Sequence, residues 1–386
     1  MPTLSWITGR IAIDDHDSRP TEAALVDISK SPELLVSVVH EYVHFMQLVS
    51  SVGGVRLLAD FVDLGVRGGL LLSGSIKLGE VVSGYKKIMP LLKDLRDSCW
   101  SSHEGVAARR VETMDELDAM FTADPFAYSG QKTSWEVESH EIALKTYVEP
   151  MWGFVVSTPL GPKFRPFSIG FLAENMARRL DRWFASGAAP KHTWPASPTE
   201  SEYYNGLFTL LERRLPDSSA PTIEEIVVVI ASLALASPRP DLATALMLER
   251  VILPVDGGHL TENVAATFKS LLVQHRLLHA DHYNEAISDV MWGAAQIMDR
   301  TEYAEIHGRL LQIHGAANRI LTNPTYFVEP KLNWETVKRW MKIFPPPPVV
   351  VVDGLATKIG EVSCESFATD FLSHVERALL RDKPEN

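Results

Sequence analysis

Two histidines and a glutamate stand close together in the segment HEYVHFMQ, residues 40–47. On an α-helix, side chains four residues apart lie one above the other on the same face. The imidazoles of His40 and His44 could therefore converge on one metal ion, and imidazole is a ligand that zinc prefers. Glu41 would project beside the open metal position, where it could take a proton from water that the metal acidifies. This chemistry suits attack on a peptide carbonyl.

The sequence around the motif predicts the helix that must position it, from Ser31 to about Ser51. Ser31 is a good N-cap, Pro32 suits the first helical position, and Glu33 complements the helix dipole. A helical wheel collects nearly all the polar side chains in one stripe: Ser37, His40, Glu41, His44, Gln47 and Ser51. A helix that is apolar elsewhere is normally buried, so this stripe needs partners. A bound metal would provide them; the alternative is a core histidine pair satisfied by neighbouring side chains.

The segment HEYVH resembles the motif of the zincin metallopeptidases, which lies on an active-site helix beside a small sheet. The resemblance implies that His40 and His44 are zinc ligands and that Glu41 is the general base. The glycine and third histidine that follow in metzincins are absent, because Phe45 and Met46 come next. The match is closer to gluzincins, in which a glutamate on a later helix is the third ligand.

Glu174, in the segment IGFLAENMA, is the best candidate for that third ligand. It follows the β-hairpin predicted around residues 159–162 and lies at the edge of an apolar helical face. Two features depart from gluzincins: Glu174 comes 174 − 44 = 130 residues after His44, and Arg178 stands where many gluzincins carry an aspartate that orients a ligand histidine. Asp181, one turn further on, is a candidate for that orienting role.

Other residues compete for parts of the site. The segment EVESHE, residues 136–141, is an alternative source of the third ligand, or else a solvated charge cluster. Tyr204, with its neighbour Tyr203, is the candidate for stabilising an oxyanion, although either could be a packing aromatic. His275 and His279, with His282 close behind, could form a second metal site or a polar helix end.

The composition excludes several classes of function. Lysine and arginine number 37 against 49 acidic residues, and there is no dense basic segment, so nucleic-acid binding is not expected. Two cysteines far apart make no disulfide framework. The N-terminus does not resemble a signal peptide, and the longest apolar run is too short to span a membrane. We expect a cytoplasmic protein with no membrane span and no nucleic-acid partner.

The whole chain predicts a predominantly α-helical α+β protein. A strand is expected over Ser5–Asp14, and helices around 55–70, 76–97 and 104–122. A β-hairpin is expected around residues 159–162, and helices over most of 201–342, among them 262–280 and 301–319, with a last helix near 364–381. We divide the chain into a zincin-like catalytic region with a small sheet (1–190), a helical region packed on it (191–344), and a proline spacer, short strand and C-terminal helix (345–386). Oligomeric state is not indicated by the sequence.

Three functions fit these observations. The first is a zinc-dependent metallopeptidase of the gluzincin kind, acting on a peptide or protein substrate. The second is a non-haem iron oxygenase, since two histidines and a carboxylate also bind iron in that class. The third is an inactive zincin-like protein whose helical second half binds a partner.

Overall fold

The structure is a computed structural model that describes part of the chain. The described residues are 3–4, 11–13, 32–56, 138–143, 148–158, 161–188, 198–251, 260–295, 304, 307–308, 311, 323–344, 350–352 and 355–357. The strands are β1 (Thr3–Leu4), β2 (Ile11–Ile13), β3 (Glu138–Ala143), β4 (Val148–Thr158), β5 (Gly161–Pro166), β6 (Val350–Val352) and β7 (Leu355–Thr357). The helices are α1 (Pro32–Ser50), α2 (Ile169–Ala188), α3 (Pro198–Arg214), α4 (Ala220–Leu235), α5 (Pro240–Arg250), α6 (Leu260–Gln274), α7 (Ala280–Ala294) and α8 (Trp334–Ile343).

The strands form two small sheets. One has the order β1–β2–β6–β7, in which β2 and β6 run parallel with Ile11 opposite Val350, so strands far apart in sequence lie side by side. The other has the order β3–β4–β5 and is antiparallel throughout. Strands β4 and β5 pair antiparallel with Thr158 opposite Gly161, in agreement with the hairpin predicted around residues 159–162, and β5 leads almost directly into α2.

Helix α1 is buried nearly all round, as its apolar wheel predicts. From Leu35 to Val55 every side chain is buried except those of Ser37 and His40, which are partly exposed. It packs along α2, which in turn packs against α3 and α4. The apolar run in α4 is also fully buried, and its helix starts at a Ser219 cap that accepts a hydrogen bond from the Thr222 N–H. The polar stripe of α1 therefore faces other protein elements.

Hydrogen bonds from buried tyrosines fix α1 to distant parts of the chain. The Tyr42 hydroxyl donates to the Phe344 carbonyl over 2.8 Å at the end of α8, and the Tyr283 hydroxyl of α7 donates to the Val49 carbonyl. After a bend at Ser51 the chain continues as a short helical segment over 52–56. Gly54 is required in this bend, because a Cβ there would lie 2.3 Å from the Leu48 carbonyl oxygen.

The described part of the chain is mostly helical, in agreement with the α-rich class predicted from the sequence. The predicted helix over 262–280 is wrong at its end: α6 stops at Gln274, and Arg276 adopts a left-handed φ of 56°. The Leu277 N–H then bonds the Leu272 carbonyl and the Arg276 N–H bonds the Val273 carbonyl, which closes the helix end without a glycine.

Several predicted segments lie outside the described residues. The strand predicted over Ser5–Asp14 is found only at Ile11–Ile13, which pairs antiparallel with Thr3–Leu4, and residues 5–10 lie outside the described part. Also outside it are the stretches beyond residue 56 expected to be helical, most of 301–319, and the C-terminal helix near 364–381. The three-region division of the chain stays a prediction. Among the helices that are described, none combines the length and apolar character needed to cross a membrane.

Candidate metal centre

Three side chains from two helices converge between α1 and α2. Nε2 of His40 and Nε2 of His44 are 3.1 Å apart. Oε2 of Glu174, on the second turn of α2, lies 3.4 Å from the first nitrogen and 3.3 Å from the second. The two rings stand nearly perpendicular, at 89°, with centroids 4.7 Å apart. The i, i+4 spacing on α1 and the packing of α2 against it produce this arrangement.

The donor set fits a metal ion. Potential ligand atoms of His40, His44 and Glu174 all lie within 4.8 Å of one another. Oε2 of Glu174 is buried and accepts no well-aligned hydrogen bond from the residues that the structure describes. A buried carboxylate oxygen normally has a partner, so its place beside two imidazole nitrogens calls for a cation. Two imidazoles and one carboxylate leave a tetrahedral ion one open position, as in catalytic zinc sites.

Asp181 holds the outer nitrogen of the first histidine. Its Oδ2 lies 2.8 Å from Nδ1 of His40 and 4.0 Å from the Arg178 guanidinium, and its side chain is fully buried. Such a carboxylate accepts the Nδ1 proton and turns Nε2 toward the centre. Burial raises the pKa of Asp181, against the opposing effects of His40, Arg178 and Arg179.

The charges around the site favour a proton on His40 when no metal is bound. Burial by itself lowers the pKa of His40, but the hydrogen bond to Asp181 and the negative charges of Asp181 and Glu174 outweigh it and raise that pKa well above 6.5. For Glu174, burial raises the pKa, but His44 and His40 outweigh it and hold the pKa far below its usual range. The site therefore stabilises a carboxylate next to a cationic group, which a metal ion can replace.

Gln47 contacts the second histidine from one turn further along α1. Its Oε1 lies 3.0 Å from Nδ1 of His44, and its Nε2 donates to the Ala173 carbonyl of α2 over 3.1 Å. Gln47 is buried, as is Glu41, the expected general base. The polar stripe of α1 thus contacts the helix that carries Glu174.

A second set of buried polar groups fixes α2 against the helices behind it. The fully buried Arg179 donates to Asn205 Oδ1 over 2.5 Å and lies 3.5 Å from a Glu224 carboxylate oxygen. Trp183 Nε1 donates to the same carboxylate over 2.9 Å. Asn175, next to Glu174, accepts the Leu207 N–H over 3.0 Å. These bonds set the rotation of α2 and therefore the direction of Glu174.

Tyr204, the expected oxyanion group, lies on α3 and is partly buried. Arg178, which is four residues after Glu174 and so on a neighbouring part of the same helix face, lies 6.0 Å above its ring. The structure thus places Tyr204 beside the arginine that borders Asp181. The side chain of Tyr203 is outside the described residues.

Two other groups of residues, 136–141 and the histidines at 275, 279 and 282, were alternatives for metal binding. Residues 138–141 of the 136–141 segment form part of β3, with side chains outside the description. His275 and His279 do not share a helix, because α6 ends before them. His279 pairs with Asp281 at 3.0 Å and His282 lies 3.7 Å from Glu285. In the part of the chain described, the metal-ligand group that forms is the one at His40, His44 and Glu174.

Sequence reasoning named Asp181 as a candidate to orient a ligand histidine, and the structure places it against His40; it did not assign Gln47 to His44. The seven-residue interval from Glu174 to Asp181 is nearly two helical turns, so both project from one face of α2, and this signal was available. The bond from Gln47 to Ala173 crosses between helices far apart in sequence, and no local pattern encodes it.

Comparison of the chain with known proteins finds no similar protein. The chain matches no protein-family model, no curated protein and no solved structure. The resemblance to zincins accordingly rests on the HEYVH motif and on the residues gathered around it.

Proposed function

We propose that this protein is a zinc-dependent peptidase whose metal is held by His40, His44 and Glu174. The observation that carries the proposal is the convergence of two imidazole nitrogens and one carboxylate oxygen, 3.1–3.4 Å apart, at a buried site. The His-Glu-x-x-His spacing on α1 supports it, because the same helix also supplies an acid–base group.

Each residue would have a distinct role. When bound, the metal would supply Lewis acidity, making water more acidic and polarising the substrate carbonyl. Glu41 would take the proton from the attacking water and pass it to the amine nitrogen as the peptide bond breaks. Asp181 would hold the His40 ring in place through Nδ1. Tyr204 would stabilise the negative charge that develops on the carbonyl oxygen.

The test separates metal binding from catalysis. Zinc content is measured by elemental analysis, and hydrolysis with a mixed library of fluorogenic peptides. We expect Glu41→Gln to keep zinc and lose hydrolysis, and His44→Ala to lose both. Glu212→Gln, the same change at an exposed position on α3, is the matched control and should behave as the wild type. Hydrolysis retained by purified Glu41→Gln would refute the role of Glu41.

The same measurements distinguish the other two functions. Two histidines and a carboxylate also bind Fe(II) in oxygenases. Iron in freshly purified protein, with turnover of 2-oxoglutarate, would replace the peptidase by an oxygenase. Absence of both metals after metal addition, with normal stability of the double variant His40→Ala/His44→Ala, would favour an inactive protein that binds a partner.

A further inference from the structure

We propose that Gln47 is a positioning residue that fixes the tautomer of His44, holding its proton on Nδ1 and presenting Nε2 as a lone-pair ligand beside Glu174. This inference rests on the proposed metal centre and deepens it. It assigns to a buried amide the role that Asp181 has for the other histidine.

The orientation of the Gln47 amide is decided by the backbone of α2. The Ala173 carbonyl, 3.1 Å from one end of the amide, can only accept a hydrogen bond. The NH₂ group must therefore face Ala173, since the reverse orientation would place two oxygens against each other. Oε1 is then the atom that faces His44, 3.0 Å from Nδ1.

The amide orientation in turn decides where the imidazole proton lies. An amide oxygen accepts and does not donate, so Nδ1 of His44 must carry the proton that lies between them. The other tautomer would oppose two lone pairs at a buried site, where water cannot repair the loss. A neutral imidazole has one N–H, so Nε2 is left as a lone pair. The nitrogen with this lone pair lies 3.3 Å from Glu174 Oε2 and 3.1 Å from His40 Nε2, the nitrogen that can donate a proton to it when no metal is bound.

Gln47 also connects the two helices that bear the ligands. Ala173 immediately precedes Glu174, and Gln47 lies one turn after His44. One buried amide therefore binds a ligand ring on α1 and the backbone beside a ligand on α2. Both bonds exist together only when the two helices are at their observed separation, so the same residue couples ring orientation to helix spacing.

The first measurement is the tautomer of His44 in the full-length metal-free protein. Histidine is labelled with ¹⁵N, long-range ¹H–¹⁵N correlation spectra are recorded from neutral to alkaline pH, and the His44 signals are assigned by comparison with His44→Gln. We expect the Nδ1–H form in the wild type. Gln47→Met, which has no acceptor oxygen, should lose this preference. Gln47→Glu retains an acceptor and should keep it, whereas Gln274→Met, at an exposed position, is the control and should change nothing.

The second measurement is zinc affinity, by competition with a chromophoric chelator. Residues that orient metal ligands typically contribute about 10–100-fold in affinity, which is the loss expected for Gln47→Met. Gln47→Glu should lose less, because it keeps the oxygen that accepts from His44, although its second oxygen opposes the Ala173 carbonyl. An Nε2–H tautomer of His44 in the wild type overturns the inference. So does a Gln47→Met variant whose His44 tautomer and zinc affinity are those of the wild type. A wild type that binds no zinc yet shows the Nδ1–H form refutes the metal centre and leaves the effect of Gln47 on His44 established.

Discussion

Replacing Asp181 with asparagine should weaken metal binding while preserving the packing of the site. Asp181 is fully buried, and its Oδ2 accepts the Nδ1 proton of His40 over 2.8 Å. Asparagine has nearly the same shape, and its amide oxygen can accept the same proton. Its NH₂ group would take the place of Oδ1, which accepts no hydrogen bond from the described residues. The substitution therefore keeps the acceptor for His40 but removes the negative charge, and with it the ion pair with Arg178 at 4.0 Å.

The size of the effect follows from the kind of hydrogen bond that is changed. A bond to a charged partner contributes about 1.5–3 kcal/mol net, and a bond between neutral groups about 0.5–1.5 kcal/mol. The difference, about 1–1.5 kcal/mol, corresponds to roughly tenfold in an equilibrium constant. We expect Asp181→Asn to weaken zinc binding about tenfold, and Asp181→Ala, which removes the acceptor altogether, to approach the upper end of the ~10–100-fold range.

Zinc affinity would be measured by competition with a chromophoric chelator at one fixed pH. Asp217→Asn is the matched control, because it makes the same change at an exposed position between α3 and α4. Thermal unfolding of each metal-free variant would show that it is folded. If Asp181→Asn and Asp181→Ala both bind zinc as tightly as the wild type, Asp181 does not orient His40 for a metal, and the argument from its buried carboxylate is wrong.

The remaining predictions concern pH, metal removal and the anchoring of α1. Because Asp181 and Glu174 raise the pKa of His40 above 6.5, a proton on His40 competes with the metal. Zinc affinity should therefore fall as the pH falls through that raised pKa. A zinc-binding constant that does not change with pH would contradict this. Saturating zinc at about 100 times its Kd should add ~2.7 kcal/mol to the free energy of unfolding. This gain should be seen in thermal scans, disappear with a chelator and be absent in Glu174→Gln; an equal gain in that variant would show that zinc binds elsewhere. Tyr42→Phe removes the donor to the buried Phe344 carbonyl. It should lower the free energy of unfolding, measured by urea denaturation, by about 1–2 kcal/mol and leave zinc affinity unchanged. A large loss of zinc affinity would show that this hydrogen bond also shapes the metal site.

The sequence determined the features that depend on local spacing. The i, i+4 interval of His40 and His44 is a property of one helix, and the apolar positions around them required that helix to be buried. Pro32 at its start and the apolar run of α4 were equally local signals. The turn-like residues 159–162 predicted the β4–β5 hairpin for the same reason, since a tight turn is encoded by its own few residues.

The tertiary structure decided which groups meet across the chain. Glu174 reaches the histidines only because α2 packs along α1, with its rotation fixed by the buried bonds of Arg179 and Asn175. Helix geometry places Asp181 on the same face as Glu174, but only packing decides that it contacts His40. Local sequence did not predict where α6 ends either, because the residue that adopts the left-handed conformation there is Arg276 and not a glycine. Contacts between residues more than a hundred positions apart depend on how whole elements pack, and local patterns of side chains do not specify that.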